Sequence, residues 1–117
     1  MRYVDGFVIP VPKKNLKAYI RMARMGAKMW MKHGALDYKE CVGDDLQPKW
    51  GTPFSRIVKL KPGETVVFSY IVFKSRAHRD RVNAKVIKEM HKMGDMKDAP
   101  FDMKRMTYGG FKVMVDS

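Results

Sequence analysis

The chain has little cysteine, few acidic residues and no long apolar segment. Its single cysteine, Cys41, rules out an internal disulfide, and a reducing compartment fits that composition. No apolar run approaches the roughly 20 residues that a membrane-spanning helix needs, so we expect no membrane span. The first residues include Asp5 and lack the long apolar stretch of a secretory signal. We therefore expect a cytoplasmic protein.

The charge of the chain is strongly unbalanced. Lys and Arg number 24 against 12 Asp and Glu, which gives a net charge of +12 over 117 residues. Such a field favours anionic partners, including nucleic acid, but it does not specify a fold. A chain of this length buries roughly two thirds of its unfolded surface, which is enough for one core. We therefore expect a single domain over 1–117.

Hydrophobic periodicity divides the chain into four strands and two long helices. Stretches rich in β-branched and aromatic residues predict strands over 2–10, 35–42, 65–74 and 108–115. Apolar residues three and four apart predict helices over 13–33 and 76–92. The apolar stripe of the first helix consists of Leu16, Tyr19, Ile20, Ala23, Ala27 and Trp30. Gly34 follows the first helix as a C-cap and Ser75 precedes the second as an N-cap. A short helix is expected to start after a Thr52 cap and to reach about Leu60.

The order of these elements predicts the fold. Strand, helix, strand, strand, helix, strand is the ferredoxin-like βαββαβ pattern, an α+β fold with two helices on one face of an antiparallel sheet. The third strand is apolar on both of its faces: Phe68 and Val72 share one, Ile71 and Phe73 the other. Two helices cover only one face, so the other needs a lid. A second copy of the same sheet would provide it, which predicts a homodimer.

Several segments carry a family resemblance. They are Tyr3-Val4-Asp5-Gly6-Phe7, Gly34-Ala35, Glu40-Cys41, Val67-Phe68-Ser69-Tyr70, Pro100-Phe101-Asp102, Lys104-Arg105-Met106 and Tyr108-Gly109-Gly110-Phe111. With them the chain resembles the YbaA-like family of small bacterial proteins, a domain of unknown function, over nearly its whole length. One departure is Met103, which stands where that family more usually has glycine.

The resemblance implies membership of the dimeric α/β-barrel superfamily, in which two ferredoxin-like sheets face each other around a central space. That superfamily includes cofactor-independent monooxygenases, haem-handling enzymes and ligand-binding regulators. Its breadth means that the fold cannot select a chemistry. Some members of the YbaA-like family carry names that suggest association with RNA.

Glu40 is the candidate catalytic base. It shares a strand face with Tyr38, and a carboxylate facing the interior would be partly desolvated, as a general base requires. Arg105 is its expected anion or oxyanion partner, and the expected ligand-binding walls are Tyr38, Tyr70, Asp102 and Tyr108. The alternative is a structural ion pair of Glu40 with Arg105 or Lys112. Asp5 is a similar acid on the first strand.

The first predicted helix offers a different kind of site. Between Lys13 and Lys32 it carries seven bases and no acid. One flank of the helix presents Lys17, Arg21, Arg24 and Lys28, beside the apolar stripe. This flank is either a nucleic-acid or anion surface or a solvated helix face, with Met22, Met25 and Met29 at the core margin.

Sequence motifs give no sign of a metal or cofactor. His78 and His91 lie about 220° apart around one predicted helix, so they cannot share a metal. Gly109-Gly110 lies inside the last strand, where it indicates a bulge or a close backbone contact and not a phosphate loop. We expect neither a metal nor a cofactor.

Three hypotheses for function stay open. The first is a homodimer that holds a small organic ligand between sheet and helices or between the paired sheets, with or without metal-free turnover. The second is an RNA- or anion-binding protein that uses the first helix. The third is a structural dimer without a ligand. The sequence does not decide whether the protein is an enzyme.

Overall fold

A four-stranded antiparallel sheet and three helices make up the described part of the protein. The structure, a computed structural model, describes residues 1–94 and 99–117. The strands are β1 (Tyr3–Pro12), β2 (Asp37–Val42), β3 (Glu64–Phe73) and β4 (Thr107–Lys112). The helices are α1 (Leu16–Lys32), α2 (Phe54–Ile57) and α3 (Arg76–Met93), and 3₁₀ turns occupy Lys13–Asn15 and Met103–Arg105. No helix within the described ranges has both the length and the apolar character that crossing a membrane requires.

The two most apolar strands occupy the centre of the sheet. The strand order is β2-β3-β1-β4, and every neighbouring pair is antiparallel. β1 pairs with β3 along its full length, from Tyr3 opposite Phe73 to Pro12 opposite Glu64. β4 pairs with β1 only as far as Val8, so beyond that point β1 is an edge strand. Proline is tolerated at an edge, which explains why β1 continues through Pro10 instead of ending there as predicted.

The helices begin and end where local chemistry favours it. The Ser75 side chain caps α3, because its Oγ accepts the His78 backbone N–H at 3.1 Å. α1 ends before Gly34, whose φ of +115° is a backbone conformation that L-residues rarely adopt. The predicted Thr52 cap is wrong: Pro53 occupies the N-cap of α2, no side chain caps that helix, and it ends at Ile57.

One face of the sheet packs against α1 and α3. Tyr3 and Phe73 pack in a buried cluster with Val82 and Val86 of α3. A second buried cluster joins Ile9, Val11 and Val67 to Tyr19 and Ala23 of α1. Phe7 packs against both clusters. Each fully buried Val or Phe contributes roughly 1.5–3 kcal/mol, so these contacts fix both helices to the same side.

The opposite face of the sheet carries apolar side chains that no helix fully covers in the described chain. Phe68 of β3 is 44% exposed and Phe111 of β4 is 62% exposed. The short α2 approaches this face through Phe54, whose ring centroid lies 6.4 Å from that of Phe68. The two-sided apolar pattern of the third strand therefore corresponds to one helix-covered face and one open face.

The close approach predicted at the paired glycines occurs at Gly110, and the pairing of β4 with β1 runs without a bulge. A Cβ at Gly110 would overlap the Tyr3 ring, with Cε2 only 2.7 Å away. A Cβ at Gly109 would lie 3.8 Å from the Phe111 ring, which is an ordinary contact. The last strand ends at Lys112 and not at Val115 as predicted.

We expect Gly110→Ala to destabilise the protein by roughly 1–3 kcal/mol, because the added methyl group forces a buried ring to shift. Gly109→Ala is the matched control, with an expected change below about 0.5 kcal/mol, since its methyl group meets no backbone or buried ring closely. Urea denaturation followed by circular dichroism measures both variants. Equal stability of the two variants would contradict the packing described for Tyr3.

Candidate functional site

A cavity of about 360 Å³ lies between the helix-covered face of the sheet and helices α1 and α3. Seven of the ten methionines that the structure describes line it: Met22, Met25, Met29, Met90, Met93, Met103 and Met106. Its aromatic walls are Phe7, Tyr19, Trp30, Tyr38 and Phe101. Small residues on α1, Ala23 and Gly26, leave the space open beneath the helix. The volume and apolar walls are those of a small-molecule site.

Glu40 places a carboxylate in this apolar cavity. The Tyr19 hydroxyl donates to Oε1 at 2.7 Å, and the Tyr38 hydroxyl donates to Oε2 at 2.6 Å. Tyr38 and Glu40 lie two residues apart on β2, so both side chains point toward the helices, opposite Ile71 and Ser69 of β3. Tyr19 reaches the same carboxylate from α1. The hydrogen bonds therefore join a helix and an edge strand through one charged group.

Both tyrosines are held in the neutral, hydrogen-donating form. Burial raises the pKa of Tyr19 and of Tyr38 well above the ordinary tyrosine value. The hydrogen bond to the Glu40 carboxylate raises each pKa further, because a tyrosinate could not donate to it. The site thus keeps two hydroxyl hydrogens directed at Glu40 at neutral pH.

Only two of the predicted ligand-site residues, Tyr38 and Glu40, line the cavity. Tyr70 lies on the open face of the sheet, with its ring centroid 6.3 Å from that of Phe68. Tyr108 stacks on Phe7 at 5.8 Å but is 67% exposed at the edge of the sheet. Asp102 is exposed and caps the second 3₁₀ turn by accepting the Lys104 backbone N–H at 3.0 Å.

Arg105 also lies apart from Glu40. Its guanidinium donates to both carboxylate oxygens of Glu64, with Nη2 3.0 Å from Oε1, and to the backbone carbonyls of Val58 and Lys59. The Arg105 hydrogen bond holds the pKa of Glu64 below its usual value. The predicted Glu40–Arg105 contact is therefore wrong: the partners of Glu40 are tyrosine hydroxyls, and Arg105 ties the 3₁₀ turn to the start of β3.

Asp5 belongs to a separate buried network beside the cavity. Its carboxylate accepts from Asn83 Nδ2 at 3.2 Å and lies 3.7 Å from Arg79 Nη1. Asn83 in turn accepts the Trp30 indole N–H at 2.9 Å, and Arg79 donates to the Tyr3 hydroxyl at 3.2 Å. Burial raises the pKa of Asp5. The network fixes α3 against β1 and uses the one hydrogen-bond donor of Trp30.

Many of the basic side chains of α1 and α3 lie on the outer surface of these helices. On α1 the exposed bases include Lys17, Arg21, Arg24 and Lys28. A shallow groove between the end of α1 and α3 adds a second basic cluster: Lys32, His33, Lys85, Lys88 and Lys92. Glu89 lies in this groove and pairs with Lys32 at 2.7 Å and with His33 at 2.9 Å. Across residues 1–94 and 99–117, no three His, Cys, Asp or Glu side chains gather as a metal site.

Most of the cavity-lining residues were not predicted from the sequence as part of a ligand site. Tyr19 was predicted as part of the apolar stripe of α1, and its hydroxyl gave no sign of a polar partner. Met22, Met25 and Met29 were expected to pack at the core margin, whereas they line the cavity. The signal in the sequence that could have indicated this cavity was the high methionine content, 11 of 117 residues. Cys41 is exposed on the open face of the sheet, opposite in direction to Glu40.

Comparisons with known proteins identify relatives without an assigned activity. The family described as "Protein of unknown function (DUF1428)" matches residues 2–103, which confirms the predicted resemblance. Proteins named "Uncharacterized protein YbaA" from Escherichia coli (strain K12) and Shigella flexneri are each 40% identical over 116 residues, covering 99% of this chain and 99% of the relative. A solved structure titled "De novo designed protein Foldit4" aligns over 97% of this chain and 99% of its own, with 10% identity and a TM-score of 0.48.

Proposed function

We propose that this chain, which belongs to the DUF1428 family of proteins of unknown function, binds a small organic ligand in the cavity between its sheet and α1. The observation that carries the proposal is a carboxylate in an apolar cavity of about 360 Å³. Such a space is large enough for a ligand of drug-like size, and a few polar groups on apolar walls are what fixes a ligand's orientation.

Glu40 is also the group that could perform chemistry there. A carboxylate accepts at about four lone-pair positions, and the tyrosine hydroxyls occupy two of them. The remaining positions could take a proton from a bound ligand without a metal. Arg105 cannot act as the oxyanion partner from its place beside Glu64. We therefore propose binding as the function, and metal-free proton abstraction by Glu40 as the reaction that this site would support.

We propose further that the protein is a cytoplasmic homodimer of the dimeric α/β-barrel kind. The strand order β2-β3-β1-β4, with α1 and α3 on one face, supports a ferredoxin-like sheet. Exposed Phe68 and Phe111 on the open face support a second copy as its cover, because the same apolar surface on two copies is self-complementary. A reducing compartment keeps the exposed Cys41 thiol from cross-linking copies.

A second candidate function is the binding of RNA or another polyanion by the helical surface. The groove of lysines between α1 and α3 favours it, because it adds a second basic element to the basic flank of α1. Several Lys and Arg side chains on one surface bind phosphates and release counterions, independently of any cavity. The two functions use different faces of α1, so separate variants test them.

The cavity proposal predicts that a neutral aromatic probe, 1-naphthylmethanol, enters the space under α1. In protein labelled with ¹³C at the methionine methyl groups, we expect the probe to shift the resonances of the seven cavity methionines. Met31 and Met114, which lie outside the cavity, should not move. Ala23→Leu should weaken binding at least tenfold, because its side chain fills the space, whereas Ala84→Leu on the exposed face of α3 should not. Shifts in no methionine, or in all equally, would favour a structural dimer.

The dimer proposal predicts sedimentation at twice the 13.6 kDa chain mass at micromolar concentration. Phe68→Lys should shift the protein toward monomer by placing a charge at the centre of the paired faces. Ile87→Lys is the matched control, because Ile87 is also exposed, at 51%, but lies on α3. A monomeric wild type, or equal dissociation by both variants, would contradict the proposed pairing.

The polyanion proposal predicts salt-dependent binding of a single-stranded RNA. The logarithm of the association constant falls linearly with the logarithm of the salt concentration. Replacing the four basic residues of the α1 flank by Gln should make this slope less steep by up to about 3. The changed residues are Lys17, Arg21, Arg24 and Lys28. A control with the same charge loss elsewhere replaces Lys49, Lys61, Lys74 and Lys112. Equal effects of the two sets would show non-specific attraction by net charge and would remove this candidate.

A further inference from the structure

The polar atoms of the cavity are nearly all hydrogen-bond acceptors. Glu40 contributes a carboxylate, and the hydroxyl hydrogens of Tyr19 and Tyr38 are already directed at it. What these three side chains offer to a ligand is therefore oxygen lone pairs. The Trp30 indole N–H, another donor in the lining, is used by Asn83 at 2.9 Å. Ser69 alone, among the polar groups that line the described part of the cavity, has a hydroxyl hydrogen that it can offer.

The charge of the cavity is opposite to the charge of the protein. Glu40 carries a negative charge, and no Lys, Arg or His is found among the described lining residues. Two partly buried arginines are engaged elsewhere: Arg79 lies against Asp5 and Arg105 pairs with Glu64. A ligand carboxylate or phosphate would meet Glu40 with no compensating cation among the described lining residues. A ligand cation would instead form an ion pair in surroundings of low polarity, where such attraction is strong.

The walls of the cavity also favour a cation with an apolar body. Aromatic rings attract cations to their faces, and Phe7, Trp30 and Phe101 line the space. The methionine thioethers are polarisable and unbranched, so they adapt to apolar ligands of irregular shape. Apolar surface of this extent would not hold a small hydrophilic cation.

We propose that the ligand is a hydrophobic amine, bound as its ammonium ion with N–H groups donating to the Glu40 carboxylate. This assignment rests on the proposed function of the cavity and names its ligand class. The ammonium group uses the acceptor positions that Tyr19 and Tyr38 leave open, and the hydrocarbon part packs among the methionines. An anionic ligand is disfavoured at this site even though the protein as a whole carries a charge of +12.

Three probes of similar size and different charge test the assignment: 1-naphthylmethylamine, 1-naphthylmethanol and 1-naphthoate. We expect calorimetry at pH 7 to give at least tenfold tighter binding of the amine than of the alcohol, with naphthoate the weakest. Net charge alone predicts the reverse order, because a basic protein attracts naphthoate. The assignment of an amine as the ligand is overturned if naphthoate binds as tightly as the amine, or if the amine binds no more tightly than the alcohol.

Removing the carboxylate provides a second test. Glu40→Gln should reduce the affinity for the amine to that for the alcohol, while the affinity for the alcohol changes less than threefold. Asp44→Asn removes one negative charge from the exposed loop after β2 and should leave the amine preference intact. If Glu40→Gln does not fold, the probe order in the wild-type protein decides the question. Binding of none of the probes overturns the proposed function itself, whereas binding in another order overturns only the ammonium assignment.

Discussion

The carboxylate of Glu40, held by the hydroxyls of Tyr19 and Tyr38, organises this protein around its cavity. Glu40 is half-buried, and hydrogen bonds compensate a carboxylate for the hydration that it loses; here each oxygen receives one. The donors come from α1 and from β2, which is an edge strand paired only with β3. The bonds therefore tie the helix to the outer part of the sheet. The space between them is then left to methionines and aromatic rings.

A second buried network complements this one on the other side of Trp30. Asp5, Asn83 and Arg79 fix α3 to the central strand β1, and Asn83 accepts the indole hydrogen of Trp30. The two networks engage the Tyr19, Tyr38 and Trp30 side-chain donors of the cavity, so the polar groups left for a ligand are mainly acceptors. The exposed bases of α1 and α3 lie outside the cavity, and its described lining holds no Lys, Arg or His. The interior and exterior of the protein are thus suited to ligands of opposite charge.

The sequence predicted the strands and helices well because their periodicities are strong. The β3 segment, apolar on both sides, forms a central strand with one helix-covered face and one open face, and Ser75 correctly marked the start of α3. Alternation along β2 also placed Tyr38 and Glu40 on one face. Alternation does not show which face of a strand packs against the helices, however. The environment of Glu40 therefore depends on the tertiary position of α1, which the alternation along β2 does not predict.

The partners of the charged residues depend on tertiary placement and could not be read from local patterns. Arg105 is the last residue of a 3₁₀ turn and reaches Glu64, 41 residues away in sequence, instead of Glu40. Tyr70 and Tyr108 were expected beside Tyr38, but the first lies across the sheet and the second at its far edge. For Tyr19 the helical spacing correctly predicted a place in the core. That spacing did not predict that its hydroxyl donates to Glu40.

A crystal structure of the protein with bound 1-naphthylmethylamine would test the central claim most directly. The account predicts the ammonium nitrogen within about 3 Å of a Glu40 oxygen, the normal length of such a bond. Both tyrosine hydroxyls should still donate to that carboxylate, with the naphthyl ring among the methionines under α1. An amine found only on the outer surface, or a ring in the cavity with its nitrogen directed away from Glu40, would contradict it.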